Sequence, residues 1–80
     1  PKEVGVTATG TETRHGTAAV DRRRWAYGTV FRVPGYGYAR AEDTGGAIKG
    51  NHIDLWFPTH DAALRWGRRT LTVTVWPAKP

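Results

Sequence analysis

Apolar and polar positions alternate in short runs along this chain. Val4, Val6 and Ala8 alternate with Gly5, Thr7 and Thr9. A period of two is the strand signature, because successive side chains point to opposite faces. Gly10 to Gly16 is polar and reads as a loop, and Thr17 to Val20 reads as a second strand ending at Asp21. Asp21-Arg22-Arg23-Arg24 breaks the pattern, and Tyr27-Gly28-Thr29 reads as a turn. Thr29 to Val33 is rich in β-formers and stops at Pro34-Gly35. Tyr36 to Glu42 alternates again. That sets Tyr36, Tyr38, Arg40 and Glu42 on one face and Gly37, Ala39 and Ala41 on the other. After a glycine-rich loop, Ile53, Leu55 and Phe57 are expected to point one way and His52, Asp54 and Trp56 the other. In the last strand Leu71, Val73 and Val75 alternate with Thr70, Thr72, Thr74 and Trp76.

One helix is predicted, over His60 to Trp66. Thr59 is a suitable N-cap, Asp61 in the first turn suits the helix dipole, and Gly67 supplies the stop. Many short strands with glycine- and proline-rich turns predict an all-β domain, a small barrel or sandwich. Closure into a barrel removes the exposed edges that a small sheet protein must manage. No repeat, linker or low-complexity segment divides the chain, so residues 1–80 read as a single domain.

Composition narrows the chemistry. A chain of 80 residues has room for one core, and with no cysteine there is no disulfide framework to support it. Lysine and arginine outnumber aspartate and glutamate by 12 to 7, a formal charge of +5, which favours an anionic or polar partner. No apolar run approaches the length of a membrane span. Serine and cysteine are both absent, which removes the serine and thiol nucleophiles. The run GGAIKGN lacks phosphate-loop spacing. His52 and Asp54 share a strand face, but nothing fixes His15 or His60 beside them, so no metal site is expected. Arg22 to Arg24 with Trp25 and Tyr27, and Arg68-Arg69, invite comparison with nucleic-acid surfaces. No recognition helix or RNA-binding motif accompanies them, so no nucleic-acid partner is expected. Solvated turns, or the rim of a cleft for an anionic wall polymer, account for them as well.

The candidate chemistry lies in EDTGGAIKGNHIDLWF, Glu42 to Phe57. Asp54 shares a face with Trp56. A carboxylate beside an indole loses water, and desolvation favours its protonated form, as a general acid requires. An indole also offers a flat face for a pyranose ring. The competing reading makes Asp54 a surface residue on the wet side of a half-buried strand. Asp43 before Thr44-Gly45-Gly46 fits a local Asx turn. Paired with Asp54 it also fits glycosidic-bond chemistry, which uses two carboxylates. Gly45, Gly46 and Gly50 either make turns or let the backbone approach a ligand.

The segments VTATG (6–10), TAAVD (17–21), YGT (27–29), AEDTGGAIKGNHIDLWFPTHDAALRWGRRT (41–70) and the closing VTVW strongly resemble the bacterial 3D domain. The name refers to three aspartates, which match Asp21, Asp43 and Asp54. The same pattern occurs at the catalytic end of the membrane-bound lytic transglycosylase A family. The resemblance implies a double-psi β-barrel of about six strands with one short helix near residues 60–66. It implies peptidoglycan glycan strands as substrate, no cofactor, and a lytic transglycosylase reaction that leaves 1,6-anhydroMurNAc ends. Asp54 matches the catalytic acid and base, Asp43 its partner in the site, and Asp21 a supporting carboxylate. Substrate contacts are expected from Trp56, Lys49, Thr44, Gly45, Gly46 and His52. The resemblance also implies a place in the cell envelope or outside the cell, within a larger secreted protein.

Three departures stand out. The family commonly has proline after the first aspartate, where this chain has Arg22-Arg23-Arg24-Trp25. Relatives often carry arginine at His52. They also often have a short strand upstream of VTATG, whose loss leaves an edge that favours a segment-swapped homodimer. Two other functions use the same cleft. A lysozyme-like hydrolase has Asp43 activate water, and a non-catalytic, expansin-like barrel binds the wall and cuts nothing.

Overall fold

The computed structural model describes residues 5–79. Strands β1 (Thr17–Val20), β2 (Val30–Val33), β3 (Gly37–Thr44), β4 (Ile53–Leu55) and β5 (Thr74–Trp76) and one helix, α1 (His60–Trp66), follow one another along the chain. They form one five-stranded sheet in the order β4-β1-β3-β2-β5. β1 runs parallel to β3, and every other pair is antiparallel. One face is apolar. Ala18, Val20, Phe31, Val33, Ala39 and Ala41 are buried on it, and Ile53, Leu55, Val73 and Val75 pack around them.

The helix forms as its sequence dictates. Thr59 Oγ1 accepts the Ala62 N–H at 3.0 Å, Asp61 occupies the first turn, and Gly67 closes the end at φ 64°. Trp66 reaches back from its last turn to Phe57 and Tyr36, with ring centroids 5.8 and 6.1 Å apart.

The sheet does not close into a barrel among the described residues. β4 pairs only with β1 and β5 only with β2, so both remain edges. The expected strand around Val6 and Ala8 is the missing sixth element. Val4 lies outside the described residues. From Gly5 the chain turns, with a single bridge between Val6 and Glu12, and Thr9 N–H reaches the Glu42 carbonyl at 3.2 Å. Glycine at Gly5 and Gly10 with positive φ breaks the extended path that the alternation promised.

Three more expectations need correction. Glu42 does not share the exposed face of Tyr38 and Arg40; it is buried. The β1–β3 register steps from Ala18↔Ala41 to Ala19↔Asp43, so Glu42 is the extra residue of a bulge and alternation resets there. Arg14 meets its carboxylate with two contacts of 3.2 Å. Tyr36 is not on the strand at all. Pro34-Gly35 makes a turn, with Gly35 at φ 82° and the Tyr36 N–H on the Val33 carbonyl at 3.0 Å, which swings the phenol inward. The last strand begins at Thr74, because its partner β2 pairs with it only from Val30 to Arg32, and Leu71 is exposed.

Candidate functional site

The sheet register builds one row of candidate residues. Ala19 in β1 lies opposite Asp43 in β3 on one side and Asp54 in β4 on the other. Residues directly opposite share a face, so both carboxylates rise on the same side, flanking a methyl group. Two strand spacings set their Cα atoms roughly 10 Å apart. A larger side chain at Ala19 would fill the space between them.

The three sequence-matched aspartates have different surroundings. Asp21 is buried at the end of β1. Its Oδ2 accepts the Gly50 N–H at 2.8 Å, and its Oδ1 accepts the Arg23 N–H at 3.0 Å. These two backbone donors hold its carboxyl at about 2, below the ordinary 3.8. Asp21 therefore pins the loop that leads into β4. Asp43 Oδ1 accepts the Ala8 N–H at 3.0 Å and the Thr44 N–H at 2.9 Å, tying the turn segment before β1 to the end of β3. Asp54 is exposed, and its carboxylate has no hydrogen bond or ion pair among the described residues.

Asp54 also lines a cleft of about 870 Å³ between β4, α1 and the segment 67–73 that leads into β5. Lys49, His52, Phe57, Trp66 and Arg69 share that lining. The Arg69 guanidinium lies over the Trp66 ring at 4.0 Å, and its Nε donates to the Trp66 carbonyl at 2.8 Å. The cleft thus combines aromatic and apolar walls with a basic rim and one carboxylate. Arg68 lines it too, so the second basic cluster of the sequence faces this cleft.

The substrate positions expected from sequence divide. Lys49 and His52 are exposed and line the cleft with Asp54. Trp56, Thr44, Gly45 and Gly46 do not line it. Trp56 is half-buried, and its backbone is fully engaged: its N–H donates to the Thr17 carbonyl at 3.0 Å and its carbonyl accepts from Tyr36 Oη at 2.8 Å. Thr44 Oγ1 donates to the Val20 carbonyl at 3.0 Å, which locks the β1–β3 end. At Gly45 an added Cβ would sit 3.2 Å from the Ile48 side chain, so this glycine makes room for Ile48. Of the loop glycines only Gly50 needs glycine's freedom, at φ 62°.

A model of the 3D domain matches residues 16–77, which includes Asp21, Asp43 and Asp54. The chain belongs to the 3D domain family. It is 44% identical over 75 residues to YabE of Bacillus subtilis (strain 168), a protein named for cell wall shaping. It is 45% identical over 75 residues to YocH of the same strain, named as a cell wall-binding protein. Each alignment covers 89% of this chain but only 18% of YabE and 26% of YocH, so the 3D domain here spans a minor part of those relatives. Two features of this 3D domain escaped the sequence reading. Ala19 carried no chemical signal, and only the pairing of β1 with both neighbours reveals it as the spacer of the row. Tyr36 holds β4 in place through Trp56, and the Pro-Gly before it was the available clue.

Proposed function

We propose that this domain acts on peptidoglycan as a lytic transglycosylase, with Asp54 as general acid and then base. One observation carries the reading: Asp54 is the motif carboxylate that is exposed, unengaged and on the wall of the cleft. A glycan lying in the cleft covers Asp54 and brings its glycosidic oxygen within reach of the carboxyl. Asp54 then gives its proton to the oxygen joining MurNAc C1 to GlcNAc C4, and that C–O bond breaks as charge develops on the MurNAc ring. The MurNAc C6 oxygen attacks C1, and its proton passes to the Asp54 carboxylate, which restores the acid. No water is consumed, and the new end is a 1,6-anhydro ring. The spacing of the row favours one carboxylate in both roles over a tightly coupled pair. Asp43, at the far side of Ala19 and outside the cleft lining, supports the site by holding Ala8 and Thr44. Trp66 and Phe57 border the sugar rings, and Lys49, Arg68 and Arg69 meet the acidic groups of the stem peptides.

Barrel closure belongs to this reading as well. Seating a strand between the edges β4 and β5 would complete the double-psi barrel of the family, and the cell envelope is the place where its substrate is found.

Incubation with purified sacculi tests the proposal. Wild type is expected to release anhydro-muropeptides, identified by a mass one water below the hydrolytic products. Asp54→Asn is expected to lower the rate by a factor of about 100 or more, the scale of lost acid–base catalysis. A folded Asp54→Asn variant that releases muropeptides at the wild-type rate would falsify the assignment. Products of ordinary mass would reassign the domain as a hydrolase. A second reading, a wall-binding domain without catalysis, is favoured by the open exposure of Asp54 in the free chain and by the cell wall-binding name of YocH. It predicts sedimentation with sacculi and no released product.

A further inference from the structure

We propose that the outer face of β5, β2 and β3 is a second binding surface, which takes a peptidoglycan strand bearing free stem-peptide carboxylates. It shares no lining residue with the Asp54 cleft, and it rests on the wall-polymer reading above. The register defines the face. Arg32 lies opposite Tyr38 and Thr74, and Val30 lies opposite Arg40 and Trp76, so these side chains point to the side away from the core. Tyr38 is 61% exposed and Trp76 46%, and their ring centroids are 6.0 Å apart across β2 at an interplanar angle of 42°. Two solvent-facing rings form a splayed apolar platform in the middle of an otherwise polar face.

The surroundings are cationic. Arg32 and Arg40 are exposed and make no ion pair among the described residues. Beside Trp76 a shallow depression of about 410 Å³ is lined by Tyr27, Arg40 and Lys79, and the Arg22 guanidinium stacks 4.5 Å over the Tyr27 ring. Among the described residues no carboxylate lines it. Aromatic faces suit the C–H faces of pyranose rings, and guanidinium groups suit carboxylates. A polyol-phosphate wall polymer offers the charge without the ring faces. The aromatic pair therefore selects the glycan strand, and the arginines select its peptide carboxylates.

Sedimentation of the 80-residue chain with sacculi, chemically stripped of phosphate-linked polymers, tests this. Trp76→Ala is expected to weaken binding roughly tenfold or more, the scale of one aromatic stack. The double variant Arg32→Gln/Arg40→Gln touches no core residue and is expected to lose binding comparably, which keeps the test decisive if Trp76→Ala misfolds. Arg65→Gln, an exposed helix arginine paired with Asp61 at 3.2 Å, removes a positive charge elsewhere and is expected to stay within about twofold. Unchanged binding in both platform variants overturns the proposal. So does failure of wild type to bind stripped sacculi, or displacement by a single-stranded oligonucleotide at lower concentration than by soluble glycan fragments. Muropeptide release is read from the same tubes. Its absence counts against the role of Asp54 and leaves the binding comparison intact.

Discussion

Removing the Tyr36 hydroxyl is the sharpest stability test that this fold offers. Tyr36 is 8% exposed, and its Oη accepts the Gly16 N–H at 2.8 Å while donating to the Trp56 carbonyl at 2.8 Å. The phenol thereby ties the entry to β1 to the exit of β4. His15 stacks on its ring at 4.2 Å and Phe57 meets it edge-on at 5.4 Å, so the ring itself stays in place in Tyr36→Phe. The substitution leaves one backbone donor and one backbone acceptor without a partner, at roughly 1–3 kcal/mol for a fully buried group. Both groups are only partly enclosed, which gives about 2–4 kcal/mol in total. At roughly 0.1 kcal/mol per residue the whole domain holds on the order of 8 kcal/mol, so the loss is a large fraction of it. With a urea slope of about 1 kcal/mol per molar, the unfolding midpoint should fall by roughly 2–4 M. Urea unfolding followed by tryptophan fluorescence measures this, with Tyr38→Phe, whose ring is 61% exposed, as the control that should not move. A shift in Tyr36→Phe no larger than in that control refutes the reasoning. Burial also pushes the Tyr36 phenol above its ordinary 10.0. The unfolded chain then ionises first, so this group's contribution is present below pH 10 and is lost as pH rises further. The Tyr36→Phe variant should lack that alkaline decline.

Other predictions follow from single contacts. The depressed Asp21 carboxyl contributes stability that is fully present above its ordinary 3.8 and is lost as pH falls toward about 2; Asp21→Asn should be less stable at pH 7 and flatter across that window in urea titrations. Arg14→Met leaves the buried Glu42 carboxylate with only a 3.4 Å contact from Thr17, so it should cost about 1–2 kcal/mol, and Arg14→Met/Glu42→Gln should recover part of that in a double-mutant cycle. Thr59→Ala removes the N-cap of α1 and should cost about 1 kcal/mol, read as a lower melting temperature. Ala19→Leu should close the gap between Asp43 and Asp54 and abolish muropeptide release while the unfolding free energy changes by less than about 1 kcal/mol, because Ala19 is only half-buried.

Local rules made most elements legible. β-forming residues between turn signals located β1 and β2, alternation located β4 and most of β3, and capping chemistry located α1 to the residue. What failed depended on long-range pairing. The alternation of Val6 and Ala8 is compatible with a strand, but a strand needs a partner, and here the chain turns at glycines instead. Glu42 was misassigned because a bulge is a property of two strands, invisible in one. The site was legible as chemistry and not as geometry. DTGG and the later aspartate marked the carboxylates, whereas the expected neighbours Trp56 and Thr44 have backbone and hydroxyl tasks inside the sheet. The aromatic wall came instead from Phe57, just past the end of β4, and from Trp66, brought to the cleft by the helix that follows.

The three aspartates show how a small sheet without disulfides separates structure from chemistry. A carboxylate that accepts backbone N–H groups is held in its charged form, because the donors stabilise the anion. That is useful for pinning a loop and wrong for a group that must release and regain a proton. Asp21 is the clear case, at about 2 with Gly50 and Arg23 on its oxygens. Asp43 is similarly employed, holding Ala8 and Thr44. Both fix the frame around β4, the former through the loop that enters it and the latter through β3, two strands away. Asp54 is left on an edge strand, beside an open cleft, with no internal donor among the described residues. An edge strand is the only place in this sheet where a side chain borders both a paired neighbour and a free groove. The proposed assignment of proton transfer to Asp54 thus rests on what the other two carboxylates are already holding, and on that proposal adding a backbone donor beside Asp54 should silence the site without unfolding it.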